Sequence, residues 1–286
     1  MRPNHFPYQN MNLINIEDVR RLAPAAFSIS PDSSLSDSYS HVTTASVLDA
    51  LQQDGWRITE AKQARGRKPQ SLEHNRHEVA LTHPDLPVHA EGASLLRIAN
   101  SSDGGSAFRL IGGFLRSACT NQLYVGIRIV GGVIHHRGGS LEDRIVAGAR
   151  DARRNFDRVI SRVDLWRQIE LTPEQQADFV SAAVAARWPG QNGPMVDARE
   201  ILTPVRSADL EQTLWTTFNR CQERMIRGGF RARFRVYDEQ EGQFVGFDER
   251  RVRKITGITA NERINTRMWE HAEAVAASIS GQGVVA

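Results

Sequence analysis

The chain has 286 residues, 24% of them charged, a formal net charge of +3 and two cysteines. This length predicts one large or two small domains, each able to bury a core without disulfides. No apolar run approaches the roughly 20 residues of a membrane span, and the polar N-terminus lacks the apolar segment of a secretory signal. We therefore expect a cytoplasmic protein that does not contact membranes.

The charge is unevenly distributed along the chain. Residues 1–54 carry three arginines against six carboxylates, a net charge of −3, so the remainder must hold +6 to give the overall +3. Arginine far outnumbers lysine, and the sequence pI is about 9.1. This balance fits a polyanion such as nucleic acid as a partner, and it also fits an ordinary solvated surface.

Residues 1–43 are predicted to form an N-terminal arm. A short helix is expected to begin after Asn15, whose side chain can cap it, and to end before Pro24. A loop rich in serine and aspartate follows, in which Tyr39 can bury against the core. Thr44 is predicted to start the first helix of the core domain.

A β-hairpin with a long basic tip is predicted next, because residues 56–64 alternate and a return strand begins near residue 76. Arginine binds phosphate through a planar fork, and Gly66 lets a backbone approach closely, so the tip is either a phosphate-binding finger or a solvated loop. His74 and His77 lack a nearby third ligand, so no metal is predicted. The basic residues of the tip are Arg65, Arg67, Lys68 and Arg76.

Residues 94–99 and 107–110 are predicted to continue an antiparallel meander, with a tight turn of Asn, Asp and Gly between them. Apolar residues then recur at three- and four-residue spacing, which predicts a short helix over residues 110–119 with Arg116 away from the apolar stripe. The expected fold class is α+β: an antiparallel β-meander with a packed helix (a ββ(β)α core), then long helices and a mostly helical C-terminal part.

The motifs around this turn resemble a known family. They are Asn-Ser-x-Asp-Gly from Asn100, Phe-Arg-Leu from Phe108, and Gly-x-x-Arg-x-x-Cys-x-Asn-x-Leu from Gly113. They resemble the phage- and plasmid-borne family called domain of unknown function 932, which has histidine at Ser102 and glycine at Gln122. The resemblance covers roughly residues 32–273 and implies a mobile-element protein but no chemistry. Further matching residues are Ser36, Tyr39, Leu214, Trp215, Asn219, Gln222, Glu223, Arg227, Gly228, Gly229, Asn265 and Trp269; Thr43 stands where the family usually has proline.

The order of meander and helix is also similar to the annealing core of phage single-strand annealing proteins of the Redβ, Sak and Erf kinds. This similarity is one of topology alone. It implies a groove between the basic hairpin and the helix that follows the sheet. Such a groove would place these basic residues along one path: Arg65, Arg67, Lys68, Arg76 and Arg116.

Residues 124–134 are predicted to be strand, followed by His135, His136 and a glycine-rich segment that includes Arg137. Backbone N–H groups of such a segment can hold phosphate, so Arg137 is a candidate nucleic-acid contact. The segment lacks a Walker lysine and the Gly-x-Gly-x-x-Gly spacing, so no nucleotide cofactor is expected. No chemical role is assigned to the paired histidines or to Cys119.

The longest helix is predicted over residues 141–170, with a buried apolar seam and an opposite face rich in arginine. That face is either solvated and paired with interleaved acids or a basic surface for a polynucleotide. A second helix is expected to end near residue 188. The predicted domains are an arm (1–43), an α+β core (44–188), a linker (189–194) and a helical and β C-terminal region (195–286).

The C-terminal region contains a second basic segment. A helix is expected to stop at Gly228-Gly229, after which Arg231, Arg233 and Arg235 alternate with apolar residues as in a strand. Arginines interleaved with aromatic residues supply backbone pairing and base stacking to a nucleic acid. The alternative is a half-buried strand whose arginine face is simply hydrated.

The sequence contains no metalloprotease, nucleophile-elbow, Walker or Cys-x-x-Cys motif, so no catalytic residue, metal or cofactor is predicted. We expect a non-enzymatic protein that binds or anneals single-stranded DNA during recombination, and works as a homo-oligomer. Two alternatives stay open: a factor that binds a host defence protein, and a metal-dependent nucleic-acid-processing enzyme. Steep salt dependence favours nucleic acid over a protein partner.

Overall fold

The computed structural model describes residues 12–36, 39–64, 72–116, 122–124, 131–135, 141–190, 193–238, 240 and 242–281. Its contacts divide the chain into two compact units, Met1–Ile160 (the N-terminal unit) and Ser161–Ala286 (the C-terminal unit). The division falls within the long helix α3 (Leu141–Gln168), whereas the predicted linker at 189–194 belongs to the second unit. Among the described helices, none combines the length and the hydropathy that crossing a bilayer requires.

An antiparallel seven-stranded sheet forms the centre of the N-terminal unit, as the α+β prediction requires. The order is β1-β2-β4-β5, with β3 pairing with β4 and with β6 and β7 pairing with different parts of β5. The strands are β1 (Arg57–Gln63), β2 (His77–Thr82), β3 (Val88–His89), β4 (Gly92–Asn100), β5 (Phe108–Arg116), β6 (Gln122–Tyr124) and β7 (Gly131–Ile134).

The predicted helix over residues 110–119 is wrong in its described part, because residues 110–116 continue strand β5. This strand is buried on both faces, so its apolar residues do not alternate and their spacing imitates a helix. Gly112 and Gly113 lie opposite Leu96 and Leu95 on β4. Helix α3 packs on the sheet instead: a Cβ added at Gly148 would lie 2.7 Å from Leu110.

The arm lies along the sheet. Helix α1 (Ile16–Leu22) is capped by Asn15, and the backbone of Ile14 donates to the carbonyl oxygen of Ile58 on β1 at 3.0 Å. The Tyr39 hydroxyl donates to the carbonyl of Ser101 at 3.2 Å. Burial raises the pKa of Tyr39 to about 12, so the hydroxyl keeps its proton and remains a donor.

Helix α2 (Thr44–Gln53) is joined to the sheet by a buried polar chain. Asn100 donates to the Thr44 hydroxyl at 3.2 Å, and that hydroxyl lies 2.7 Å from Nε2 of His77. His77 Nδ1 lies 3.0 Å from the carbonyl oxygen of Asn75. Because a carbonyl can only accept, Nδ1 carries the proton and Thr44 donates to Nε2. Burial lowers the pKa of His77 to about 4, so the ring is neutral and structural.

The C-terminal unit combines helices with a small sheet of order β10-β9-β8. Its core contains a cluster of aromatic rings: Trp166 lies 4.4 Å from Trp269 and 5.6 Å from Phe218, between ring centroids, and is tilted against both. The elements after α3 are α4 (Pro173–Arg187), β8 (Met195–Val196), α5 (Ala198–Leu202), α6 (Leu214–Arg227), β9 (Arg231–Tyr237), β10 (Phe244–Arg251) and α7 (Ile258–Ile279).

Candidate nucleic-acid interface

The β9–β10 hairpin leaves the C-terminal unit through two glycines that end α6. Gly228 and Gly229 have φ of +68° and +88°, in the left-handed region that favours glycine. The Gly229 amide donates to the carbonyl oxygen of Val252, and the Val252 amide donates to Phe230, both at 2.8 Å. These hydrogen bonds hold the base of the hairpin together, where β9 begins and β10 ends.

Replacing Gly228 with alanine is expected to destabilise the chain by about 2 to 4 kcal/mol. A Cβ there would lie 2.4 Å from the Val252 carbonyl oxygen, so backbone must move in addition to the strain of a positive φ. Gly242 is the matched control: its φ is +64° and an added Cβ meets nothing within 4 Å, so alanine there costs about 1 kcal/mol. Urea denaturation measures both. Equal losses would contradict the close contact at Gly228.

A buried arginine fastens the base of the hairpin. The Arg187 guanidinium donates to the carbonyl oxygens of Met225, at the end of α6, and of Arg253, just after β10. Burial lowers the pKa of Arg187 to about 10, so the side chain remains charged at neutral pH. The hairpin is thus anchored at its base, while most residues of β9 and β10 are exposed to solvent.

One face of the hairpin gathers arginine and aromatic side chains. Residues opposite each other in an antiparallel pair point to the same face, and the register pairs Arg231 with Arg251, Arg233 with Glu249, Arg235 with Phe247 and Tyr237 with Phe244. We call this the arginine–aromatic face. It consists of Arg231, Arg233, Arg235, Tyr237, Phe244, Phe247, Glu249 and Arg251.

The aromatic rings of this face are exposed and touch one another. Tyr237, Phe244 and Phe247 are 40%, 51% and 40% exposed. Centroid distances are 6.0 Å from Tyr237 to Phe244 and 5.1 Å from Phe244 to Phe247. The Arg233 guanidinium lies 4.5 Å from the centre of Phe247, a cation–π contact. A contiguous exposed aromatic patch of this kind marks an interaction site more often than an idle surface.

The charge on this face is mostly positive. Four arginines stand against one carboxylate, Glu249, whose Oε1 lies 2.5 Å from Arg231. The hydrogen bond to Glu249 and its negative charge raise the pKa of Arg231. The turn between the strands is acidic in sequence, with Asp238, Glu239 and Glu241. An anionic ligand would therefore meet the strands rather than the turn.

The opposite face of the hairpin packs in part against the rest of the C-terminal unit. The Phe234 ring packs edge-on to Trp188 at 5.9 Å, and Arg250 lies 4.1 Å above Phe234. Ala232 is buried, whereas Val236 on the same face is exposed. The predicted alternation of β9 is confirmed, with its arginines on the exposed side.

The other predicted contacts belong to the N-terminal unit. Arg116 is the last residue of β5, its side chain is 2% exposed, and its Nε lies 3.4 Å from Glu91. Arg116 was expected on an exposed helix face; burial at the strand end corrects that expectation and excludes it as a surface contact. Arg76 is half-buried beside β2, and its carbonyl accepts from the Ala64 amide. The remaining candidates lie outside the described residues: Arg65, Arg67, Lys68 and Arg137.

Sequence reasoning missed four members of the face: Phe244, Phe247, Glu249 and Arg251. Their alternation is interrupted, because a bulge between Phe244 and Gly246 inserts Val245 into β10. The available signal was the Phe-Val-Gly-Phe sequence opposite a strand already rich in arginine.

The thiol of Cys221 and the side-chain amides of Gln222 and Asn265 are buried in the core. Burial raises the pKa of the Cys221 thiol to about 12, which leaves it protonated and unreactive. Gln222 donates to Asn265 at 3.0 Å, and both are buried. Within the described ranges, no three or more His, Cys, Asp and Glu residues are placed to hold a metal ion.

Fold and hairpin together define an α+β protein of two compact units with an arginine–aromatic β-hairpin exposed on one of them. The chain belongs to the family described as "Domain of unknown function (DUF932)", whose model matches residues 31–269. It is 29% identical over 259 residues to the UPF0380 protein YafZ of Escherichia coli K12, covering 91% of this chain and 90% of that protein. It is 28% identical to YfjQ of the same organism, covering 90% and 89%. No solved structure matches significantly.

Proposed function

We propose that this protein binds single-stranded DNA along the arginine–aromatic face of the β9–β10 hairpin, and that it acts in strand annealing during recombination of a mobile element. The observation that carries the proposal is the exposed row of three aromatic rings beside four arginines. Arginines contact the phosphates of a strand, and aromatic rings stack on its bases regardless of sequence.

A single strand fits this face better than a duplex. Bases inside a duplex are already stacked on one another, so exposed rings such as Phe244 gain little from them. An unpaired strand offers free base faces at the same time as its phosphates. The adjacent Arg233 and Phe247, 4.5 Å apart, supply both contacts within one site.

A protein partner with an acidic surface is the second candidate, because Val236 and Val245 add exposed apolar area to the same hairpin. Salt separates the two functions. Binding to a polynucleotide releases condensed counterions, so log Kd changes steeply and linearly with log salt. An acidic protein surface carries no such condensed layer, so its binding weakens less steeply with ionic strength.

The test is fluorescence anisotropy of a labelled single-stranded oligonucleotide titrated across a salt series. Arg233→Ala with Arg235→Ala is expected to lower the slope of log Kd against log salt by about 1.4, since each lost phosphate contact removes about 0.7. Arg154→Ala with Arg158→Ala on α3 removes the same charge from another exposed surface and is expected to leave the slope unchanged. Absence of binding at low salt would contradict the proposal. Equal effects of the two arginine pairs on the slope would show that the hairpin is not the binding site.

A further inference from the structure

Strand β10 forms the outer edge of the small sheet. The sheet order is β10-β9-β8, and in the described ranges no strand pairs with the second edge of β10. Seven of its eight residues are exposed, Gly246 being half-buried. Such an edge presents unpaired N–H and C=O groups and is a template for another strand unless the protein blocks it.

The hydrogen bonds at the hairpin base show which backbone groups face outward. Val252 directs both its N–H and its C=O toward Phe230 and Gly229 on the β9 side. Backbone groups alternate between the two edges along a strand, so Arg250 and Asp248 also face inward. The backbone N–H and C=O groups on the outer edge therefore belong to Arg251, Glu249 and Phe247.

The charges along this edge are ordered. Asp248 and Glu249 are followed directly by Arg250 and Arg251. Edge strands that resist pairing carry charges that repel an incoming copy. Here a parallel copy would set like charges side by side, whereas an antiparallel copy sets acids opposite bases. The sequence is complementary to itself in the antiparallel direction.

We propose that β10 pairs antiparallel with β10 of a second copy of this chain, about a two-fold axis at Glu249. Outward groups must face outward groups, so the axis has to pass through a residue. With the axis at Glu249, Asp248 faces Arg250 of the partner subunit, and Phe247 faces Arg251 of the partner subunit. Each pair occurs twice.

A two-fold axis at Glu249 gives more favourable charge pairing than an axis at Arg250. An axis at Arg250 sets two arginines opposite each other at a closely spaced pair and places Asp248 against Val252, which is buried. At Glu249 the two carboxylates that meet are each neutralised within their own chain by Arg231, at 2.5 Å. The Phe–Arg pairs repeat a contact that the hairpin already makes between Arg233 and Phe247.

This pairing has a consequence for DNA binding, which rests on the proposed function. Residues opposite each other in an antiparallel ladder share a face, so both arginine–aromatic faces lie on the same side of a six-stranded sheet. One strand of DNA can then run across two copies of the site. The dimer itself forms without nucleic acid.

The test is sedimentation equilibrium of the full chain without nucleic acid over a concentration series. The wild type is expected to approach twice its 32.0 kDa. Asp248→Arg sets arginine opposite arginine, and Arg250→Asp sets aspartate opposite aspartate, so each variant alone is expected to be a monomer. An equimolar mixture of the two restores both opposite-charge pairs, as does the double variant, and both are expected to dimerise. A monomeric wild type, dimers of either single variant, or a mixture that stays monomeric overturns the proposal.

A cysteine at the axis tests the register. Glu249→Cys, in a Cys119→Ser background, places two thiols across a hydrogen-bonded pair with Cα atoms about 5.5 Å apart, within disulfide range. Arg251→Cys is the control, since its own copy lies four residues away, about 13 Å. Oxidation is expected to cross-link the first variant and not the second. The reverse result rules out an axis at Glu249. No nucleic acid enters either experiment, so failure of the dimer and failure of the proposed function are distinguishable.

Discussion

Replacing Phe244 and Phe247 together with alanine is expected to weaken binding of a single-stranded oligonucleotide by at least about 2 kcal/mol, about 30-fold. Stacking of a base on an aromatic side chain contributes about 1 to 3 kcal/mol. The two rings lie 5.1 Å apart, so their effects are coupled and the double variant is the informative one. Anisotropy titration at one fixed salt concentration measures the change.

The control for this variant lies on the other face of the same hairpin. Val236 is 39% exposed, about as much as Phe247, but it does not belong to the arginine–aromatic face. Val236→Ala is expected to leave affinity unchanged. The hairpin should remain folded in both variants because its anchors, Arg187 and Gly228, are at its base. Equal weakening by the two variants would place the bound strand elsewhere.

The salt dependence of binding distinguishes base stacking on the phenylalanines from phosphate contacts of the arginines. Loss of the two rings removes no phosphate contact, so the slope of log Kd against log salt is expected to stay at its wild-type value while affinity falls. Replacing Arg233 and Arg235 is expected, in contrast, to lower this slope. A protein that bound DNA through a diffuse positive surface would show no effect of the phenylalanines at all.

The sequence was informative where one face of an element meets water. The arginines of β9 alternate with Ala232 and Phe234, and the structure has them exposed as the pattern indicates. The helix stop at Gly228-Gly229 was also predictable, because glycine is the residue that adopts positive φ without strain. Local chemistry determines these features, so they can be read without knowing the rest of the fold.

Burial on both faces removed that information from β5. Its residues from Phe108 to Arg116 are almost all buried, so neither a two-residue nor a 3.6-residue period is imposed by solvent. For this reason the spacing predicts an exposed helix face for Arg116, whereas the structure pairs it with Glu91 inside the unit. An isolated charged residue in an apolar run signals a buried ion pair as readily as a surface.

Register was the second limit. The bulge at Val245 brings Phe244 onto the face that already holds Phe247, Glu249 and Arg251, and a shift of the whole pairing by one residue would exchange the faces. The family motifs did not help with the site, because Trp215, Gln222 and Asn265 lie in the core of the C-terminal unit. These motifs identify the fold, and the candidate site has to be found from exposure and charge.

A buried ion pair in the N-terminal sheet carries the largest expected effect on stability. Arg97 on β4 and Glu78 on β2 are each 1% exposed, and their Nη1 and Oε1 atoms lie 2.5 Å apart. Arg97 also reaches Glu60 at 3.2 Å, and Lys62 reaches Glu78 at 3.3 Å. Arg97→Met is expected to cost about 3 to 5 kcal/mol, since it leaves the Glu78 carboxylate buried with a weakened counter-charge.

Removing both charges should recover most of that loss. In Arg97→Met with Glu78→Leu no charge remains to be desolvated at the pair, while Glu60 and Lys62, 39% and 33% exposed, can turn to water. Burying two apolar side chains in place of an ion pair is commonly neutral or stabilising. Urea denaturation of the two single variants and the double variant gives the coupling energy, expected at about 2 kcal/mol or more. Arg154→Met, which breaks an exposed pair with Asp151, should cost less than about 1 kcal/mol. Additive losses at Arg97 and Glu78 would show that packing of their side chains, rather than their charges, holds this part of the sheet.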